Sequence, residues 1–119
     1  MSEPDRDRDW RFYVQDMVEF GERVAAYVEG LDQQAFKADQ RTYDAALRNI
    51  ELLGEAATHV PESVRAEHPE IAWRQIVGTR NRLAHGYLGI DDDVIWDIIQ
   101  TDIPGLLDAL RRLADDERA

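Results

Sequence analysis

Apolar residues recur at intervals of three and four through most of this chain, and this spacing constrains its fold more than any other feature. The first such stripe begins at Trp10 and continues to Leu31, which predicts a helix from about residue 9 to residue 29. Gly30 is placed to end it. No segment alternates apolar and polar residues as a half-buried strand does, so the sequence predicts an all-α fold.

Prolines, glycines and a run of aspartates divide the remainder of the chain. A second stripe from Tyr43 to Val60 predicts another helix, and two prolines bracket a short one over about 62–67. A further stripe predicts a helix from about residue 71 to His85, with Gly86 just after its cap. The last helix is capped by Asp91-Asp92-Asp93 and should be kinked or divided near Pro104. We therefore expect a bundle of four to five helices.

The length of 119 residues favours one domain. We expect it to span residues 9–113, between charged tails at 1–8 and 114–119. No apolar run approaches the roughly 18 residues of a membrane span, and the first residues do not resemble a leader. These features favour a cytoplasmic protein with no membrane partner. The sequence has no cysteine, which excludes disulfides and thiolate ligands, and its three scattered histidines suggest no metal site and no cofactor.

The net charge of −11 bears directly on which partners the chain can bind. Affinity for nucleic acid comes largely from lysines and arginines that neutralise phosphates. The charge therefore argues either against nucleic acid or for a local basic cleft within an acidic surface. Lys37 is the only lysine, so nearly all the positive charges are arginines, which suit planar contacts with phosphate.

One polar cluster, around Arg80 and His85, could carry chemistry. On a helix these residues lie about 140° apart around the axis and about 7.5 Å apart along it, so spacing alone does not put them on one face. An imidazole can move protons and a guanidinium can stabilise a charged transition state, which together suit metal-free cleavage of RNA by its own 2′-hydroxyl. The single histidine of this cluster cannot easily act as both acid and base in one turnover. A dimer with the site on its two-fold axis would supply a second.

The same residues also have structural interpretations. A histidine at a helix end is usually a cap, and spacing does not rank Arg80 above Arg82. Asn81 could bind a phosphate or ribose oxygen, cap the helix or face solvent. Tyr87 could belong to the core with only its hydroxyl at the surface. Gly54 either lets another helix approach closely or is simply tolerated. His59 and His68 are expected to be loop and helix-end residues rather than catalytic ones.

The sequence around this cluster resembles the HepT-like (HEPN domain, DUF86) family of toxin ribonucleases. The resemblance covers roughly residues 10 to 113. It is carried by Ala46-x-Arg48-x-Ile50-x3-Gly54-Glu55-Ala56, by Trp73-x2-Ile76-x-Gly78-x-Arg80-Asn81-x-Leu83-Ala84-His85-x-Tyr87, and by Gly89-Ile90-Asp91 with Val94-x-Trp96. The combined spacing is much more specific than the Arg-x4-His pattern alone.

This resemblance implies a HEPN-type homodimer that acts as the toxin of a type VII toxin–antitoxin system. Its members are metal-independent endoribonucleases, so the expected substrate is RNA and not DNA. By matching positions, Arg80 and His85 would be the catalytic pair at the dimer cleft and Asn81 a supporting residue. Tyr87 would be the tyrosine that an MntA-like minimal nucleotidyltransferase antitoxin AMPylates to silence the nuclease. The alternative is a non-catalytic helical subunit that binds nucleotides or a nucleotidyltransferase.

Overall fold

The computed structural model describes residues 3–86 and 90–118, and within them the side chains of 10–86 and 90–115. The all-α prediction is confirmed, since these residues form helices and no strand. The helices are α1 (Glu3–Val28), α2 (Gln33–Ala38), α3 (Gln40–Ala57), α4 (Glu62–Glu67), α5 (Trp73–Ala84), α6 (Asp92–Asp97) and α7 (Ile103–Arg118), with a π-helical turn at Ile98–Asp102 between the last two.

The four longer helices pack as a bundle in which α3 is central. Helix α1 packs against α3 and α7, and α3 also packs against α5. The short α2 lies against α3. The contact between α3 and α5 brings Gly54 and Glu55 of α3 beside Arg80 of α5.

The core consists of two clusters of buried side chains that are distributed along α1 and α3. The first joins the first half of α1 and the end of α3 to α5 and α7, and it includes Trp10, Met17, Leu53, Trp73 and Leu110. The second joins the end of α1 and the start of α3 to α2 and α6, and it includes Val24, Phe36, Leu47, Leu83 and Ile95. The apolar stripes of the sequence supply nearly all these side chains, because helical spacing places them on one face.

Aspartates begin three of the helices. The side chain of Asp91 accepts a hydrogen bond from the backbone N–H of Asp93 at 2.7 Å, which confirms the cap predicted there. Asp32 caps α2 by accepting from the N–H of Ala35 at 2.8 Å, and Asp39 caps α3. Helix α2 was not predicted, because only one buried residue, Phe36, marks its face.

The last helix is divided, as Pro104 predicted. The interruption is a π-helical turn, in which the N–H of Ile103 donates to the carbonyl of Ile98, five residues back. Pro104, which has no N–H to donate, follows this turn as the second residue of α7.

Two predicted helix bounds need correction. Helix α1 begins at Glu3 rather than near residue 9, and α7 continues to Arg118, so both backbones extend into segments expected to be charged tails. The apolar stripes could not reveal this, because these segments carry few apolar residues. The domain bounds of 9–113 stay a prediction. Across the described ranges, no helix is long and apolar enough to cross a membrane.

Candidate active site at the end of helix α5

Helix α5 is locally basic in a strongly acidic chain. Its sequence, Trp73–Ala84, contains Arg74, Arg80 and Arg82 and no aspartate or glutamate. The chain as a whole carries a net charge of −11. A basic element within an acidic surface is one of the two arrangements that the net charge allowed.

Gly54 brings α5 into close contact with α3. A Cβ atom at position 54 would collide with the Cβ of Arg80 and would lie 3.1 Å from the carbonyl oxygen of Ile76. Of the two interpretations of Gly54, the structure therefore supports close approach of a second helix. The stem of Arg80 rests directly on the backbone of α3 as a result.

The guanidinium of Arg80 is held by two neighbouring side chains. Its Nη2 donates to Oε1 of Glu55 on α3, and its Nη1 donates to Oδ1 of Asn81 at 2.8 Å. The Arg80 side chain is about one third exposed (32%), so part of the guanidinium still faces solvent. A guanidinium has five N–H donors, and these two hydrogen bonds leave three for a ligand.

Glu55 contacts a histidine through its second oxygen. The Oε2 of Glu55 lies 3.4 Å from Nε2 of His59, which would be an ion pair when the imidazole is protonated. The ring of His59 stacks on Tyr13 of α1, with centroids 4.5 Å apart and planes 16° from parallel. The Glu55 carboxylate therefore lies between the Arg80 guanidinium and the His59 imidazole.

His85 lies at the C-terminal end of α5, and its side chain is exposed. Its backbone N–H donates to the carbonyl of Asn81 at 3.2 Å. Gly86 follows with φ of +121°, a conformation that L side chains rarely adopt, and its N–H donates to the carbonyl of Leu83. The predicted helix end is confirmed, and it leaves the imidazole at the tip of the basic helix.

The structure distinguishes Arg80 from Arg82, which spacing could not do. Arg82 lines a cleft between α5 and α6 together with Asp93, Asp97 and Asp102. Burial, and then the charge of Asp97, raise the pKa of Asp102. This acidic cleft is a poor place for a phosphate, so Arg80 is the better candidate for a phosphate ligand.

A second groove runs along a neighbouring face of α5, between it and α4. Its volume is about 440 Å³, and Arg65, Arg74, Trp73 and Asn81 are among the residues that line it. Glu62 is the acidic residue in this lining. The groove thus leads towards Asn81 along a surface with more positive than negative groups, as a phosphate backbone would require.

The structure brings together Arg80 and Asn81, and it places His85 at the end of the same helix. Tyr87 lies outside the described residues. Sequence reasoning gave no role to Glu55, although this residue is part of the Gly54-Glu55-Ala56 block. It also expected His59 to be a loop or helix-end residue; His59 does follow the end of α3, but it contacts Glu55. Pairing across 25 positions has no spacing signal within one sequence.

Comparisons with known proteins find a family model and several relatives that match most of the chain. The family described as ribonuclease HepT-like matches residues 17–113. The chain is 32% identical over 106 residues to "Probable ribonuclease HepT" from Thermococcus cleftensis, which covers 89% of this chain and 96% of that protein. It is 31% identical over 97 residues to a protein from Methanocaldococcus jannaschii whose name proposes that it is an RNase (82% of this chain, 89% of that protein).

A similar relative comes from Caldanaerobacter subterraneus, whose name likewise proposes an RNase; it is 29% identical over 108 residues, which are 91% of this chain and 96% of that protein. No solved structure matches the chain significantly. The family match covers most of the chain, including both helices that carry the polar cluster. The chain belongs to the ribonuclease HepT-like family.

Proposed function

We propose that this protein is an endoribonuclease that cleaves RNA without a metal ion, with Arg80 and His85 as its catalytic residues. The proposal rests on the observation that the partly exposed guanidinium of Arg80 is fixed by Asn81 of α5 and by Glu55 of α3. Helix α5 ends at His85. The RNase names of the relatives support the same activity.

The reaction is an attack of the ribose 2′-hydroxyl on the adjacent phosphate. His85 would take the proton from that hydroxyl or give one to the leaving 5′-oxygen, since imidazole transfers protons best near neutral pH. The remaining N–H donors of Arg80 would bind the non-bridging oxygens, on which charge builds up in the transition state. Asn81, which holds the guanidinium, is the supporting residue.

Cleavage by purified variants in EDTA tests this assignment. His85→Ala should lower the rate by roughly 10²–10⁴ because the acid–base group is removed. Arg80→Ala should lower it on the order of 10²–10³ because the stabilising cation is removed. Arg82→Ala is the matched control, because it removes the same charge two residues away and should keep most activity. Equal cleavage by wild type and His85→Ala would point to a contaminating nuclease and to the non-catalytic alternative.

We further propose that the active unit is a homodimer in which the two copies of His85 divide the acid and base roles. A single chain offers one histidine at the end of α5, whereas the reaction needs two proton transfers. Exchanging subunits between the wild type and an excess of His85→Ala should lower the activity per wild-type subunit, because each mixed dimer has only one His85. If each subunit works alone, the activity per wild-type subunit will not change.

Tyr87 is the proposed point of control in a type VII toxin–antitoxin system. It follows His85 by two residues and comes directly after Gly86. An AMP group on its hydroxyl would add a phosphodiester charge near Arg80, where it could pair with the guanidinium and displace the RNA phosphate. The partner would be a minimal nucleotidyltransferase antitoxin. Co-expression with it should add AMP units to the intact mass, and Tyr87→Phe should abolish the gain.

A further inference from the structure

We propose that Glu55 is the positioning residue for Arg80: its carboxylate fixes the plane of the guanidinium so that the remaining N–H donors face the RNA phosphate. This inference rests on the proposed role of Arg80 in RNA cleavage. It concerns a residue on a different helix, α3, which does not itself touch the substrate.

The first support is that Arg80 is held at three places along its side chain. Its Cβ lies against Gly54, so the stem has no freedom to move towards α3. Its Nη2 is bound by Glu55 and its Nη1 by Asn81. An arginine otherwise samples many rotamers, and fixing it before the substrate binds removes that entropic cost from the reaction.

A second support is that Glu55 is itself held in place. It is part of α3 and follows the glycine that sets the distance between the helices. Its other oxygen lies 3.4 Å from His59, whose ring is stacked on Tyr13. Groups that orient a catalytic side chain are effective when their own rotamers are fixed by neighbours.

The negative charge of Glu55 should also weaken the binding of RNA, and this effect can be measured through KM. A carboxylate beside the guanidinium weakens the attraction of the site for RNA phosphate in the ground state. Removing it should therefore lower KM, while the poorer orientation of Arg80 should lower kcat. Simple destabilisation of the fold would lower the active fraction and leave KM as it is.

Three variants separate orientation from charge. Glu55→Ala should lower kcat by roughly 10- to 100-fold without raising KM, since misplacement of a catalytic group by about 1 Å can cost on the order of 10²-fold. Glu55→Gln keeps an oxygen that can accept from Nη2 and should recover most of that decrease. Glu51→Gln is the matched control: it removes the same charge one turn away on α3, where the carboxylate pairs with Arg48 at 3.5 Å, and should not change kcat.

A spectroscopic measurement tests the contact apart from activity. In the wild type, the Nη signals of Arg80 in ¹⁵N-arginine-labelled protein should be resolved by hindered rotation, and the Arg80→Ala spectrum identifies them. Glu55→Ala should average these signals, and Glu51→Gln should not. Unchanged Arg80 signals in Glu55→Ala would overturn the proposal, as would unchanged or increased kcat. If Arg80→Ala cleaves RNA like the wild type, it is the proposed function that fails, and the spectra still decide whether Glu55 positions the arginine.

Discussion

Replacing Gly54 by alanine should destabilise the protein, although alanine is the better helix former. The new Cβ would collide with the Cβ of Arg80, and it would lie 3.0 Å from Cγ of that residue and 3.1 Å from the carbonyl oxygen of Ile76. Atoms this close to the backbone of α5 cannot swing aside as the end of a flexible side chain can. The two helices would have to separate.

Two opposing effects set the size of the change. Overpacking at a tight contact typically costs about 1–3 kcal/mol. The change from glycine to alanine within a helix contributes about 1 kcal/mol in the opposite direction. The free energy of unfolding should thus fall by about 0–2 kcal/mol, a range too close to zero to be decisive without a reference.

Gly105 provides that reference within the same molecule. It lies in α7, and a Cβ added there would meet nothing within 4 Å. Gly105→Ala should therefore gain up to about 1 kcal/mol from helix propensity alone. Because this gain is common to both variants, their difference of about 1–3 kcal/mol isolates the cost of the close contact.

Urea unfolding followed by circular dichroism at 222 nm measures both variants. Gly54→Ala should also cleave RNA more slowly, since Arg80 moves with α5, whereas Gly105→Ala should cleave normally. If Gly54→Ala proved as stable as Gly105→Ala, α3 and α5 would not be in close contact at this glycine, and Gly54 would not be what seats Arg80.

Two further predictions concern the groove beside α5 and the pH dependence of stability. Arg74→Gln should raise KM for RNA and reduce the slope of log KM against log salt by roughly 0.7, because one cation no longer pairs with a phosphate. Arg23→Gln on α1 removes the same charge and should do neither. Equal effects of the two variants would argue against binding of RNA in the groove. Burial, and then the hydrogen bond to Asp92, raise the pKa of Tyr43 to about 12. The stability that depends on its protonated hydroxyl is complete below pH 10 and declines as the pH rises towards 12. The free energy of unfolding of Tyr43→Phe should therefore fall less over that interval than that of the wild type. Identical falls would contradict this prediction.

Much of the fold could be predicted from the sequence because its helix signals are local. Pro61 and Pro69 confine α4 to the residues predicted, and Gly86 ends α5 where a positive φ is needed. Helix α2 was missed because six residues are too few to establish a periodicity. The position of the interruption in the last helix was predicted from Pro104, but its π-helical form was not, since a proline does not specify the hydrogen bonds around it.

The candidate site was predictable only along one helix. Arg80, Asn81 and His85 lie within six residues of one another, so a short motif contains them all. Glu55 is 25 positions from Arg80, and their contact depends on how closely α3 and α5 approach. The choice of Arg80 over Arg82 likewise required the structure, which shows that one faces α3 and the other faces an acidic cleft.

Because α5 has no acidic residues in an otherwise acidic molecule, the salt concentration determines whether an approaching RNA is attracted or repelled. The molecule measures 48 × 28 × 22 Å, and its charges act through solvent over about 10 Å at 0.1 M salt but about 30 Å at 0.01 M. In dilute buffer an approaching RNA would experience the repulsion of the entire acidic molecule. Near physiological salt it would experience mainly the nearest groups, which are the arginines of α5 and the carboxylates beside them. Moderate salt should therefore speed the encounter with RNA, opposite to the behaviour of basic nucleases, before higher salt weakens the contacts themselves.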